Sequence, residues 1–253
     1  MTGYINQKMM KTIYLLVSLS ILNLHHVAVA QGTLSGIISD YTEGNGLIIS
    51  YDIVTGDKHT WGSIDDNGMI TVPLSATYLD EIKKMAAKAQ KKAPRGFTLK
   101  LPTVEDSFTC RYPDVKFENP GCLVSGLPDL MLTDNKKKAE NGRIYAVNNS
   151  LIANWLHHDQ KGNIGLGYYL IFYFAEDKAS AMGTCMGTNY TGLGEENYDK
   201  FTLYELELEP GWNIVQYEIE EVFESKNGGV FPEVIKVTKL ENLPNDLIWV
   251  RVK

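Results

Sequence analysis

The chain of 253 residues carries 24 Lys plus Arg against 31 Asp plus Glu, a net charge of −7, with 44% hydrophobic and 10% aromatic residues. That length suits one large domain or two small ones, and the composition excludes disordered, collagenous and disulfide-dense classes. The acidic balance argues against the basic footprint that nucleic-acid binders use to neutralise phosphates, so no nucleic-acid partner is expected.

The first thirty residues read as a secretory signal peptide. Lys11 precedes an apolar run from Ile13 to Leu24, and Ala28-Val29-Ala30 gives the small-x-small exit before Gln31. The run falls short of the roughly 20 residues a membrane-spanning helix needs. Cleavage near Ala30 places the chain in the periplasm or outside the cell, and a start at Met10 rather than Met1 or Met9 gives a leader of usual length. No Cys stands at the exit for lipid attachment, and no second long apolar segment follows, so no integral membrane segment is expected after cleavage. Removing Lys8, Lys11, His25 and His26 leaves 22 positive against 31 negative residues, a charge of −9, and three His.

From Gly32 to Leu74 the pattern is a β-meander of four short strands. Thr33–Ser39 and Leu47–Ile53 flank a turn at Thr42–Gly46, and Asn67-Gly68 marks a hairpin loop. A helix is expected over 77–93: Thr77 can cap it, Leu79, Ile82, Met85, Ala86 and Ala89 form an apolar stripe, and Pro94 and Gly96 end it. Its other face carries Lys83, Lys84, Lys88, Lys91 and Lys92, with Arg95 after it. This is a solvated face or a docking face for an anionic partner. The Pro-rich segment from Phe97 to Asp134 contains two short strand candidates, Phe97–Leu101 and Leu130–Thr133.

From Arg143 the chain again reads as strands, with Tyr145–Leu156 leading through His157-His158-Asp159 into Tyr168–Phe174. That unbroken aromatic and aliphatic run predicts a central strand covered on both sides. Ala179–Met186 follows, and then a hairpin about Pro210-Gly211. Tyr204, Leu206 and Leu208 alternate with Glu205 and Glu207, and Val215, Tyr217 and Ile219 with Glu218 and Glu220, giving one apolar and one acidic face. Val234–Leu240 and Leu247–Val252 close the chain, with no helical pattern between strands to suggest a nucleotide-binding βαβ fold.

Three Cys in an oxidising compartment give one disulfide and one free thiol. Cys110 with Cys122 is the local choice, because Asn119-Pro120-Gly121 reverses the chain between them. Pairing either with Cys185 would instead tie the middle of the chain to a later strand.

Leu34-Ser35-Gly36 together with Gly62-Ser63-Ile64-Asp65-Asp66-Asn67-Gly68 resembles transthyretin-like or carboxypeptidase-regulatory-like β-sandwich modules of secreted bacterial proteins. Tyr173–Lys178 leading to Gly183-Thr184-Cys185, then Pro210-Gly211-Trp212-Asn213, is similar to uncharacterised exported bacterial β-rich proteins. Such modules support or bind rather than catalyse, and neither resemblance brings catalytic residues.

Direct searches for chemistry give the same direction. Ser63-x-Asp65-x-Asn67-Gly68 touches a calcium-loop pattern, but Leu74 stands where the bidentate Glu belongs. His157-His158-Asp159 has metal-ligand residue types, yet neighbours on a strand point to opposite faces. Gly162-x-x-Gly165-x-Gly167 precedes a strand rather than a helix, so it is no dinucleotide loop. Trp61, Trp155, Trp212, Trp249 and fourteen Tyr could supply sugar-stacking platforms or simply core packing.

The expected architecture is therefore mainly β. A small N-terminal antiparallel β-module with one amphipathic helix (31–134) precedes a larger antiparallel β-sandwich (143–253). The expected role is non-enzymatic binding or structural support at the bacterial envelope or exterior, with a glycan or envelope component as partner. The alternative is a secreted glycan-acting hydrolase using paired carboxylates. No catalytic, cofactor-binding or metal-ligating set is expected.

Overall fold

A computed structural model describes residues 32–52, 55–192 and 195–253; the expected signal peptide lies outside them. Among the described residues the protein is mainly β, as its alternating patterns require. The first strands are Gly32–Ile37 (β1), Gly46–Tyr51 (β2), Lys58–Ile64 (β3) and Met69–Leu74 (β4). Only β2, β3 and β4 follow one another as a meander; β1 lies antiparallel against β4. The expected four-strand meander is corrected because the link after β1 is no tight hairpin. It carries the buried Tyr41 and swings round to let Ile38 N donate to Gly68 O at 2.9 Å.

The expected helix is present as Tyr78–Lys92 (α1), with Tyr78, Leu79 and Ala89 buried. Thr77 makes no side-chain cap; its hydroxyl donates to the Glu81 carboxylate at 3.2 Å instead. Asp80 and Glu81 in the first turn and Lys91 and Lys92 in the last complement the helix dipole. The strand expected at Phe97–Leu101 is not formed. Gln90 of α1 occupies that backbone, accepting from Leu99 N at 2.7 Å and donating to Phe97 O at 2.7 Å.

A one-turn helix, Val104–Ser107 (α2), follows, closed by a capping box between Thr103 and Asp106. Next come Tyr112–Glu118 (β5), Val124–Gly126 (β6), Leu130–Asp134 (β7) and Glu140–Val147 (β8). The strand expected to run from Tyr145 to Leu156 stops at Val147. Asn149 caps a helix over Ser150–His157 (α3), its side chain accepting from Leu151 N, and α3 buries Ile152, Ala153 and Trp155. The remaining strands are Gly167–Ala175 (β9), Ala179–Tyr190 (β10), Asn197–Leu208 (β11), Gly211–Glu224 (β12), Val230–Leu240 (β13) and Ile248–Val252 (β14).

Hydrogen bonding joins these fourteen strands into one sheet among the described residues, with two regions linked by a single rung between β8 and β9. The first runs β1-β4-β3-β2-β7-β8, with β14 on the other edge of β8, and a bridge from Ile38 to Trp249 brings the chain after β1 beside β14. The second runs β9-β12-β13-β11-β10-β5. The ladder is continuous across residues 134–143, since β2 pairs β7 and β7 pairs β8, and the described residues form one compact unit. The strand ladders are antiparallel except β11 with β13, and the single Ile38–Trp249 bridge is also parallel.

That parallel pair corrects the second expected hairpin. The strands on either side of Pro210-Gly211 are not bonded to each other, because β13 lies between them. Alternation in β11 and β12 requires only that one face of each be buried, and an inserted third strand satisfies it equally. The insertion also changes the acidic face, since Lys236 of β13 bridges Glu205 at 2.8 Å.

Two cores result, and β9 serves both. Tyr168, Leu170 and Phe172 pack with Ile48, Ile70, Leu132, Ile144 and Trp249 of the first region. Tyr169 and Ala175 pack with Trp155, Leu206, Val215, Ile219 and Val237 on the other side. The expectation of a doubly covered strand therefore holds. Between the regions sits Tyr78, fully buried among Trp61, Phe174 and Trp212 and donating to Gly126 O at 2.6 Å. Burial pushes its phenol up to about 12.

The disulfide joins Cys110 to Cys185, not Cys110 to Cys122. The segment between Cys110 and Cys122 is not a closed loop but the extended β5, and seven residues at roughly 3.3 Å each hold the two ends about 20 Å apart. The β5–β10 register sets Pro113 opposite Cys185, which brings Cys110 within a Cα distance of 5.8 Å. Cys122 stays reduced and buried, its thiol directed at Asp177 O at 3.3 Å.

Two outcomes follow. Non-reducing peptide mapping should recover the Cys110–Cys185 pair, with Cys122 alkylated only after denaturation. Tyr78→Ala should cost about 3–5 kcal/mol of unfolding free energy in urea titrations, because it empties a site shared by both regions.

Candidate functional site

The strand order that separates the two regions also opens a cleft. Along one edge, β8 pairs with β7 through Arg143 and Ile144 and with β9 at one rung only, Val147 with Tyr169. Beyond that rung β8 and β9 diverge. The link Leu127–Asp129, which leaves β6 on β9 and enters β7 on β8, spans the gap, with Leu127 N donating to Phe172 O at 2.8 Å.

The gap is a cleft of about 390 Å³. Its buried walls are Leu130, Ile144, Leu170, Phe172 and Trp249, and its accessible rim carries Asp129, Arg143, Tyr145, Asp159 and Gln160. A second depression of about 430 Å³ shares Arg143 and Asp159 and adds Glu140, His157 and Lys253. This combination of apolar wall and few polar groups is the usual anatomy of a small-molecule site.

Three elements place the rim: β8 carries Arg143 and Tyr145, the link before β7 carries Asp129, and the chain after α3 carries Asp159 and Gln160. Arg143 projects from β8, and its guanidinium reaches the Asp129 carboxylate at 3.5 Å, with Asp129 itself 77% exposed. The Tyr145 hydroxyl lies 3.4 Å from His157 Nδ1 at the end of α3. Asp159 and Gln160 follow with φ of 54° and 61°, a left-handed pair that terminates α3, and Gln160 N returns to Trp155 O at 2.9 Å. Burial, then the neighbouring His158 and Arg143, holds the His157 imidazole below its ordinary value, so its neutral form is favoured. Burial raises the Tyr145 phenol. The result is a neutral hydrogen-bonding pair beside one fixed cation.

The residues singled out in the sequence fare differently. His157 reaches the rim, whereas the exposed His158 turns back to Asn154 O at 2.7 Å. Among the described residues no group of three or more His, Cys, Asp or Glu is set to hold a metal ion. In the calcium-like segment Asp65 accepts from Asn67 N and Met69 N, both at 2.9 Å, which makes it a turn residue.

The basic face of α1 is half consumed by the fold. Lys83 pairs with Glu176 at 2.8 Å, Lys88 with Asp57 at 2.7 Å, and Lys92 donates to Thr55 O at 3.5 Å. Lys84, Lys91 and Arg95 form no ion pair among the described residues. The four Trp are packing residues: Trp155 and Trp249 are buried, and Trp61 and Trp212 flank Tyr78.

No family model, curated protein or solved structure matches the chain.

Arg143, Tyr145, Asp129 and Gln160 were not singled out in the sequence. They come from β8, a link and a helix end, with no common spacing. The one linear trace was His157-His158-Asp159, whose first and last members do reach the rim.

The wall beside Lys253 is held by Glu43, which bonds Arg251 and, at 2.7 Å, Lys253. These bonds lower the Glu43 carboxyl from 4.5 to about 2, Arg251 first and Lys253 second. Its contribution to stability is therefore full above about 4.5 and is lost as pH falls toward 2. Thermal melts across that window should show a loss that Glu43→Gln abolishes. NMR titration should place His157 below 6.5 in the unaltered protein, with an upward shift in Arg143→Ala.

Proposed function

We propose that this chain is an exported, non-enzymatic binding protein of the bacterial envelope or exterior, and that it holds a small amphipathic molecule between β8 and β9. One observation carries the reading: the cleft has buried apolar walls and a rim with a single accessible guanidinium, Arg143. An apolar body would replace water against Phe172, Leu170 and Trp249, and a polar head would meet Arg143, Tyr145 and His157. The Cys110–Cys185 bond supports an oxidising compartment. Among the described residues no helix is long and apolar enough to cross a membrane.

A hydrolase acting on glycans is the second reading, and it rests on Asp129 and Asp159 lining the same cleft. The surroundings of Asp129 weigh against it. A general acid needs apolar enclosure to keep its proton, whereas this carboxylate is 77% exposed beside a guanidinium. Burial of Trp155 and Trp249 likewise leaves few rings for sugar stacking.

Anilinonaphthalene sulfonate, an amphipathic anion, tests the binding reading. Fluorescence titration should give saturable single-site binding, weakened about tenfold by Arg143→Ala and by Leu156→Trp, since Leu156 also lines the cleft and the larger ring would fill it. Non-saturable binding, or binding indifferent to both changes, would refute it. Release of reducing sugar ends from envelope polysaccharide, abolished by Asp129→Asn, would instead establish the hydrolase.

A further inference from the structure

The second region ends in an edge strand. Among the described residues β5 is hydrogen-bonded to β10 and to no other strand, so its outer row of backbone groups is left unpaired. Exposed edges invite unwanted pairing, and proteins blunt them with proline and charge. β5 carries both kinds of device in the sequence Tyr112-Pro113-Asp114-Val115-Lys116-Phe117-Glu118. Asp114 and Lys116 are exposed, lie on one face opposite Thr184 and Met182, and form no ion pair among the described residues.

The order of these residues is self-complementary. An antiparallel mate related by a two-fold axis at Val115 sets Asp114 against Lys116 of the second copy and Lys116 against its Asp114. On the other face it sets Val115 against Val115 and Pro113 against Phe117, where the missing proline N–H removes one ladder bond from each of the two such rungs. Neighbouring registers are disfavoured. With the axis at Asp114, two aspartates meet. With the axis at Lys116, two lysines meet and Asp114 opposes Glu118. A one-residue slip would turn the core-facing Val115 and Phe117 to the wrong face. The charges that deter other strands thus fit one partner in one register.

We propose that β5 is a homodimer interface, in which a second copy of this chain pairs antiparallel along β5 about Val115 and joins the sheets of the two copies into one.

Sedimentation analysis of the purified protein, at concentrations on the order of 100 µM, tests this. The unaltered protein should sediment at twice the monomer mass. Asp114→Lys and Lys116→Asp alone each oppose like charges and should sediment as monomers with unchanged near-ultraviolet dichroism. An equimolar mixture of the two restores opposite charges across the axis and should sediment as a dimer. A monomeric unaltered protein, a dimer that survives either single change, or a mixture that stays monomeric would each overturn the proposal.

Discussion

Everything in this molecule is arranged around the double burial of β9. Tyr168, Leu170 and Phe172 point into one core while Tyr169 and Ala175 point into the other, so neither region can close without this strand. Burying a large side chain contributes roughly 1.5–3 kcal/mol, and a strand apolar on both faces has no stable solvated edge orientation. It must be sandwiched. That demand forces the first region to borrow β7, β8 and β14 from later in the chain, and it sets Tyr78 as the plug between the regions.

The cleft follows from how the edges of β8 and β9 are shared out. Beyond the Val147–Tyr169 rung the edge of β9 is taken by β6 and Leu127, and the edge of β8 by β7. The two therefore part after one rung, and the space between them is lined by apolar residues of β9 and polar residues of β8 and α3. Arg143 stands where the edge of β8 changes partner. A binding site at a point of strand divergence needs no dedicated motif, which accounts for the absence of any linear signature for it.

Part of the charge on this protein holds the surface together. Lys83 and Lys88 tie α1 to the links after β9 and β2, Lys236 neutralises Glu205 within what alternation alone would leave as an acidic face, and Glu43 clamps the end of β14. Exposed pairs of this kind contribute little individually. Their consequence is that a run of like charge in the sequence is a poor guide to a partner. The unpaired residues, such as Asp114 and Lys116, are the more informative ones.

The sequence by itself determined the class and most of the elements. Period-two alternation marked β11 and β12, the apolar run marked β9 as doubly buried, and the spaced stripe marked α1, because each pattern is a local consequence of burying one face or two. It left α3 unread, although Asn149 followed by Leu151, Ile152 and Trp155 carried a capped helical pattern. What only the tertiary structure decided was partnership: β13 between β11 and β12, Cys185 rather than Cys122 for Cys110, and the meeting of Arg143, Tyr145 and His157. Alternation specifies which face a strand buries but not which neighbour it takes. Those neighbours are fixed by how two cores compete for one strand.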